Sequence, residues 1–210
     1  MITRSGGNDL LVQGDVHLRY HSFSIRQRLI NANGNADNQV IVGNLAPSEL
    51  LLDDMGRWLT AVVADTSNRS RAEKVAADKP ADVVDACWTT AGVKIVAPQV
   101  LFDPTGTNPC NTLFPRGVPP EFVAGAPIQL NVIKCQLKPI DMNDYKVAFT
   151  SEQLARLGTI FPDGVCDWSK KGVKQVKQVT WASYGPSPVN QVFDVTDPRH
   201  HDRDDHDHDD

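Results

Sequence analysis

The stretch Arg26-Gln-Arg-Leu-Ile-Asn-Ala-Asn-Gly-Asn-Ala-Asp-Asn-Gln-Val-Ile-Val-Gly43 decides the fold class. It begins as the end of a loose helical period that runs from Val16, with Leu18, Phe23, Ile25, Leu29 and Ile30 interleaved with Arg19, Arg26, Gln27 and Arg28. That period stops at Asn33-Gly34, a pair that ends helices well because both residues tolerate the left-handed conformation of a helix terminus. Asn38-Gln-Val-Ile-Val-Gly43 follows, a short β-branched run between polar residues. Such a run reads as a strand buried on both faces of an α/β sheet. Helix then strand is half of a βαβ unit, so the expected class is α/β.

Working outward, Pro47-Ser48 opens a second helix that continues through Asp65. Leu51, Met55, Trp58, Leu59, Val62 and Val63 are its expected apolar face, with Glu49, Asp53 and Asp54 near its amino end, where the helix dipole favours negative charge. A short basic helix is expected from Ser70 to Ala77. Beyond Pro80 the character changes: prolines at 80, 98, 104, 109, 115, 119, 120, 127, 139 and 162 leave room only for brief elements. One further helix is expected over Thr150 to Ile160, with Thr150 or Ser151 as its cap. Val173-Lys-Gln-Val-Lys-Gln-Val179 has a three-residue repeat that suits an edge strand. The expected organisation is an α/β remnant over 1–80, an irregular cysteine-bearing region over 81–184 and a tail over 185–210.

All four cysteines, Cys87, Cys110, Cys135 and Cys166, fall in the irregular region. Their spacings of 23, 25 and 31 residues include no Cys-x-x-Cys pair and no nearby histidine, which argues against structural zinc and for two disulfides. Three pairings are open; Cys87 with Cys110 and Cys135 with Cys166 is preferred, because sequential loops close at the lowest entropic cost. Disulfides persist in oxidising compartments, so a secreted or periplasmic setting is expected. Met1-Ile-Thr-Arg-Ser-Gly-Gly-Asn8 lacks the charged start and apolar core of a leader. The expectation is therefore that a longer precursor precedes Met1; the alternative is a reduced cytosolic protein with four buried thiols.

The formal net charge of the 210 residues is -5, and the segment 199–210, with six aspartates against two arginines, carries most of it. The near-neutral remainder offers no Lys/Arg stripe, which argues against nucleic acid as a partner. No apolar run reaches the roughly 18 residues of a membrane span. His200, His201, His206 and His208 in the tail suit loose binding of nickel, copper or zinc, but a solvated terminus accounts for them equally and is preferred. No cofactor is implied, and oligomeric state is not legible.

Asp15-Val-His17-Leu-Arg19-Tyr20-His21 is the one cluster of the folded body that brings a carboxylate and imidazoles together, the side chains of general-base and triad chemistry. Asp15 as orienting acid and His17 as base are the candidate catalytic residues. Two alternatives stand beside this: Asp15 capping the helix while His17 and His21 make packing or surface contacts, and a metal shared by His17 and His21 at helical spacing, for which no third ligand is evident. A nucleophile elbow, Gly-x-Ser-x-Gly, is absent. A serine hydrolase built on this chain would draw its serine from upstream of Met1, and the chain alone is expected to be inactive.

Several phrases in the same order carry a resemblance. Arg26-Gln-Arg28-Leu29, Ala32-Asn-Gly34-Asn-Ala-Asp37-Asn-Gln-Val40, Val84-Asp-Ala-Cys87-Trp88, Cys110-Asn-Thr-Leu-Phe-Pro115, Ala124-Gly-Ala-Pro127, Lys134-Cys-Gln-Leu-Lys-Pro139 and Phe161-Pro-Asp-Gly-Val-Cys166-Asp-Trp-Ser-Lys170 resemble the carboxy-terminal third of domain-of-unknown-function family 6351 over about residues 9 to 172. That family comprises longer, mostly secreted bacterial proteins similar to α/β hydrolases. The resemblance implies a fragment of a hydrolase-like sheet, with the strand at Asn38 among its last βαβ elements and Asp15 in the acid's place. It also implies a histidine after Val42, where this sequence has Gly43-Asn44-Leu45, and a proline where it has Lys171. The function so implied is hydrolysis of an ester or related acyl bond of a small-molecule substrate by the full-length protein. The alternative is a non-catalytic, disulfide-stabilised binding or accessory module.

Overall fold

The computed structural model describes residues 1–5, 19–43, 45–115 and 117–176. Within the compact unit Met1–Lys171, β1 (Ile2–Ser5), α1 (Tyr20–Asn33) and β2 (Val40–Gly43) complete the βαβ unit. β1 runs parallel to β2 in the register Ile2 to Val40 through Ser5 to Gly43. Gly34 closes α1 at φ 79°, donating its backbone N–H to the Ile30 carbonyl. An L side chain there would be strained, which is why Asn33-Gly34 ends the helix.

The chain then crosses through α2 (Ser48–Ala64) and α3 (Arg71–Ala77) to β3 (Ala86–Trp88), which pairs parallel with β2, and returns antiparallel as β4 (Lys94–Val96). The sheet order is β1-β2-β3-β4. This corrects the expectation that β2 lies in the last βαβ elements: a second βαβ unit extends the sheet past residue 80. β3 and β4 are three residues each, too short to show a period among so many prolines.

Strand β2 explains the layering. Successive side chains of a strand point to opposite faces, so Val40 and Val42 join Ala46, Trp58, Val83, Ala86 and Trp88 in one apolar cluster. Ile41 joins Phe23, Leu101 and Ile128 in another. Helix α2 thus covers one face, while α1 and the segments around Leu101 and Ile128 cover the other. Each of the three strand side chains contributes roughly 1.5–3 kcal/mol by leaving water.

On α2, Leu51, Met55, Trp58 and Val62 pack inward, one stripe at the 3.6-residue period, and Trp58 donates its indole N–H to the Val75 carbonyl at 2.9 Å. Leu59 and Val63, expected on the same face, are 53% and 83% exposed. One residue further on is about 100° around the helix, which takes them off the stripe. The basic helix α3 forms with a full capping box between Ser70 and Glu73.

The irregular part contains α4 (Pro109–Leu113), α5 (Pro120–Val123), β5 (Leu137–Lys138), a 3₁₀ turn (Met142–Asp144), α6 (Ser151–Ile160) and β6 (Val165–Cys166). β5 and β6 form a separate antiparallel pair. Disulfides join Cys87 to Cys110 and Cys135 to Cys166, the sequential pairing. Gly172 begins a second unit, whose described part has a turn at Val173–Lys174 in place of the edge strand expected from Val173. Residues 177–210, including the histidines of the tail, lie outside the described residues. No helix among the described residues is long and apolar enough to cross a membrane.

Candidate functional site

In parallel sheets, ligands bind beyond the carboxyl ends of the strands, where the loops lead into helices. Here that end is marked by Ser5, Gly43 and Trp88, and by the start of α1. The segment carrying Asp15 and His17 connects Ser5 to Arg19; both residues lie outside the described residues. The N-cap of α1 falls at Arg19, which makes no side-chain cap bond.

Arg19 is nonetheless 2% exposed, because its guanidinium crosses to the irregular region. It donates to the Phe114 carbonyl at 3.2 Å and to the Pro115 carbonyl. Arg is suited to this: its planar fork meets two carbonyl acceptors at once. Phe114 and Pro115, which follow α4, are thereby fixed to the start of α1. Next along the helix, the rings of Tyr20 and His21 lie 4.0 Å apart. Among residues 1–171, His17 and His21 are the only histidines.

Further along α1 lies a polar network that sequence reasoning did not single out. Arg26 forms a two-pronged pair with Asp85, at 2.6 Å and 2.8 Å. Asp85 also accepts the backbone N–H of Ile41 at 2.9 Å and of Gln99 at 3.1 Å. Gln39 receives Arg26 Nε at 3.1 Å and passes its amide to Thr3 Oγ1 at 2.9 Å and the Ser22 carbonyl at 3.2 Å. One carboxylate thus ties α1, β2, β3 and the segment after β4 together. Burial pushes the Asp85 carboxyl pKa up, but the Arg26 guanidinium and the two backbone donors outweigh it and hold the group below the usual carboxylate range. The signal was present in sequence as a lone Asp directly before Ala86-Cys87-Trp88, but its partner lies 59 residues away.

The Cys87–Cys110 disulfide sits beside the network. Cys87 and Cys110 are each 1% exposed, and the Gln99 amide donates to Cys110 Sγ at 3.3 Å. At Gly43 a Cβ would come within 3.2 Å of Gln99 Oε1 and 3.3 Å of Cys87 Cβ. Glycine at the carboxyl end of β2 therefore lets the disulfide and Gln99 close against the strand. Among the described residues, no three His, Cys, Asp or Glu side chains converge as metal ligands.

The described geometry offers a strand end at Ser5, a helix start pinned through Arg19 and a loop braced by Cys87–Cys110, and in sequence the acid and base candidates fall between Ser5 and Arg19. No curated protein and no solved structure matches the chain. Residues 1–177 match the tannase-like family of unknown function (DUF6351), so the chain belongs to that family.

Proposed function

We propose that this chain is the carboxy-terminal portion of a secreted, α/β-hydrolase-like protein whose full-length form hydrolyses an ester or related acyl bond, with Asp15 and His17 as its acid and base. The observation that carries the reading is topological. The only segment of residues 1–171 holding a carboxylate and an imidazole two residues apart follows the carboxyl end of β1, a strand of a parallel βαβ unit. Tannase-like family membership supports a hydrolase-like fold. The two disulfides suit an extracellular setting.

In this reading a serine from upstream attacks the acyl carbon. The His17 imidazole takes the serine proton and gives it to the leaving oxygen; water then attacks the acyl-serine, passing a proton through His17 back to the serine oxygen as the acid is released, while Asp15 holds the ring in the productive tautomer and stabilises the imidazolium. Because Gly43-Asn44-Leu45, where the family resemblance implies a histidine after Val42, holds none, the base is drawn from the same connection as the acid. The platform of Arg19, Arg26 and Asp85 holds that connection's far end in place.

The test is esterase activity of the polypeptide read from upstream of Met1, assayed with short-chain nitrophenyl esters. His17→Ala is expected to lower kcat about 10³-fold or more with little change in folding. Activity that survives the substitution would make His17 structural and leave a disulfide-stapled binding module as the better description.

A further inference from the structure

We propose that an open cleft of about 440 Å³ beside the start of α1 receives an uncharged apolar group, alkyl or aryl, of the ester substrate. The substrate class rests on the hydrolase reading above; the cleft's preference for a neutral apolar group rests on its walls. Leu101, Phe102, Pro115 and Val118 supply the apolar surface, with Asp103, Asn111 and Thr112 at the polar edge. The volume falls in the range of small-ligand clefts, roughly 300–1,000 Å³.

Position is the first argument. The Pro115 carbonyl accepts from the Arg19 guanidinium, and Arg19 is the N-cap of α1. The cleft therefore lies beside the start of α1, the helix that the Asp15- and His17-bearing segment leads into in sequence. Its floor is fixed, because Leu101 packs in the core with Phe23, Ile41 and Ile128, and its α4 wall is tethered through Cys110 to β3.

The second argument is chemical. The polar groups of the edge are already used within the protein. Asp103 accepts the Asn108 N–H at 2.8 Å and the Thr105 hydroxyl at 2.9 Å. Thr112 Oγ1 lies 3.0 Å from both the Gly106 and the Asn108 carbonyls. The Asn111 amide donates to the Val100 carbonyl at 2.9 Å. Among the described residues, the cleft's edge carries the Asp103 carboxylate, its side-chain donors are taken within the protein and the nearby Arg19 guanidinium is spent on the Phe114 and Pro115 carbonyls. That arrangement disfavours an anion and gains by covering apolar surface.

Amide-resolved NMR of the 210-residue chain, titrated with methyl benzoate, methyl hexanoate and benzoate, tests the cleft without any turnover. Both neutral esters are expected to shift the Phe102, Thr112 and Val118 amides, with benzoate at least tenfold weaker. Val118→Trp, which fills the cleft, is expected to weaken both esters at least fivefold. Thr112→Tyr, at an exposed helical position, fills the same space from the other wall should Val118→Trp fail to fold. Absent shifts, equal binding of benzoate, or binding indifferent to a folded filling variant would each overturn the proposal. Ester binding that is lost on filling, in a longer polypeptide with no esterase activity, would uphold the cleft and sink the hydrolase reading instead.

Discussion

The part of the molecule built on β1, β2 and β3 and the part from Asn131 to Lys170 use similar elements to different ends. In the first, α2 puts Trp58 into a cluster with Val40, Val42 and Ala86, and Asp85 links three neighbouring segments to Arg26. In the second, α6 is equally well begun, with a capping box between Thr150 and Gln153, yet none of its residues is buried. β5 and β6 pair over two residues each, and Ile133, Leu137, Ile160 and Phe161 remain exposed. What holds this part is a few specific links: the Cys135–Cys166 bond and the Lys138–Asp144 pair at 2.7 Å within it, and Trp168 donating to the Ala124 carbonyl outside it at 2.9 Å.

The two disulfides sharpen the contrast. They close loops of 23 and 31 residues, and chain entropy alone gives each about 3–4 kcal/mol. Equal entropic contributions mean that any difference in their importance comes from what else holds each region. Cys87–Cys110 reinforces a core that already exists. Cys135–Cys166 substitutes for one.

The largest expected effect lies on the core side. Asp85→Ala leaves Arg26 without its carboxylate and two backbone N–H groups without an acceptor, and is expected to cost about 3 kcal/mol or more in urea unfolding. A loss under 1 kcal/mol would mean that the network is not what joins the sheet to α1. The same group sets an acid limit. Its pKa is depressed in the folded state, so its contribution is complete above the unfolded value near 4 and is lost as pH falls through the folded value below it. The wild-type chain should therefore lose stability below about pH 4 more steeply than Asp85→Asn.

A smaller effect is expected at Thr150. Thr150→Ala removes a cap worth about 1 kcal/mol to α6, and because α6 buries nothing, the loss should register as local fraying in its amide exchange with the global unfolding midpoint unmoved. A shifted midpoint would show that α6 is coupled to the sheet after all.

Much of this was legible in sequence where a signal was local. Asn33-Gly34 marked the end of α1, the Val-Ile-Val run marked β2, Pro47-Ser48 opened α2, the basic helix was expected from Ser70, which turns out to cap it, and Thr150 was one of two residues named as the cap of α6. β1 was not legible, because Ile2-Thr-Arg-Ser5 is too short and too polar to stand out, and it is a strand only because β2 lies beside it. β3 and β4 were hidden by the same brevity. The Arg26–Asp85 pair and the Arg19 contact to Phe114, 95 positions away, exist only after folding. Exposure on α2 misled by one residue of phase at Leu59 and Val63. For the proposed site, sequence offered Asp15 and His17 by residue type alone, and both lie outside the described residues.

The most direct test of the division between a cored part and a crosslinked part is native-state hydrogen exchange on Cys135→Ser/Cys166→Ser. Amides of Leu137, Lys138, Val165 and the interior of α6 are expected to lose protection at least tenfold, while those of Val40, Ile41, Val42 and Ala86 keep theirs. Retained protection around β5, β6 and α6, or an equal loss in β2 and β3, would contradict it.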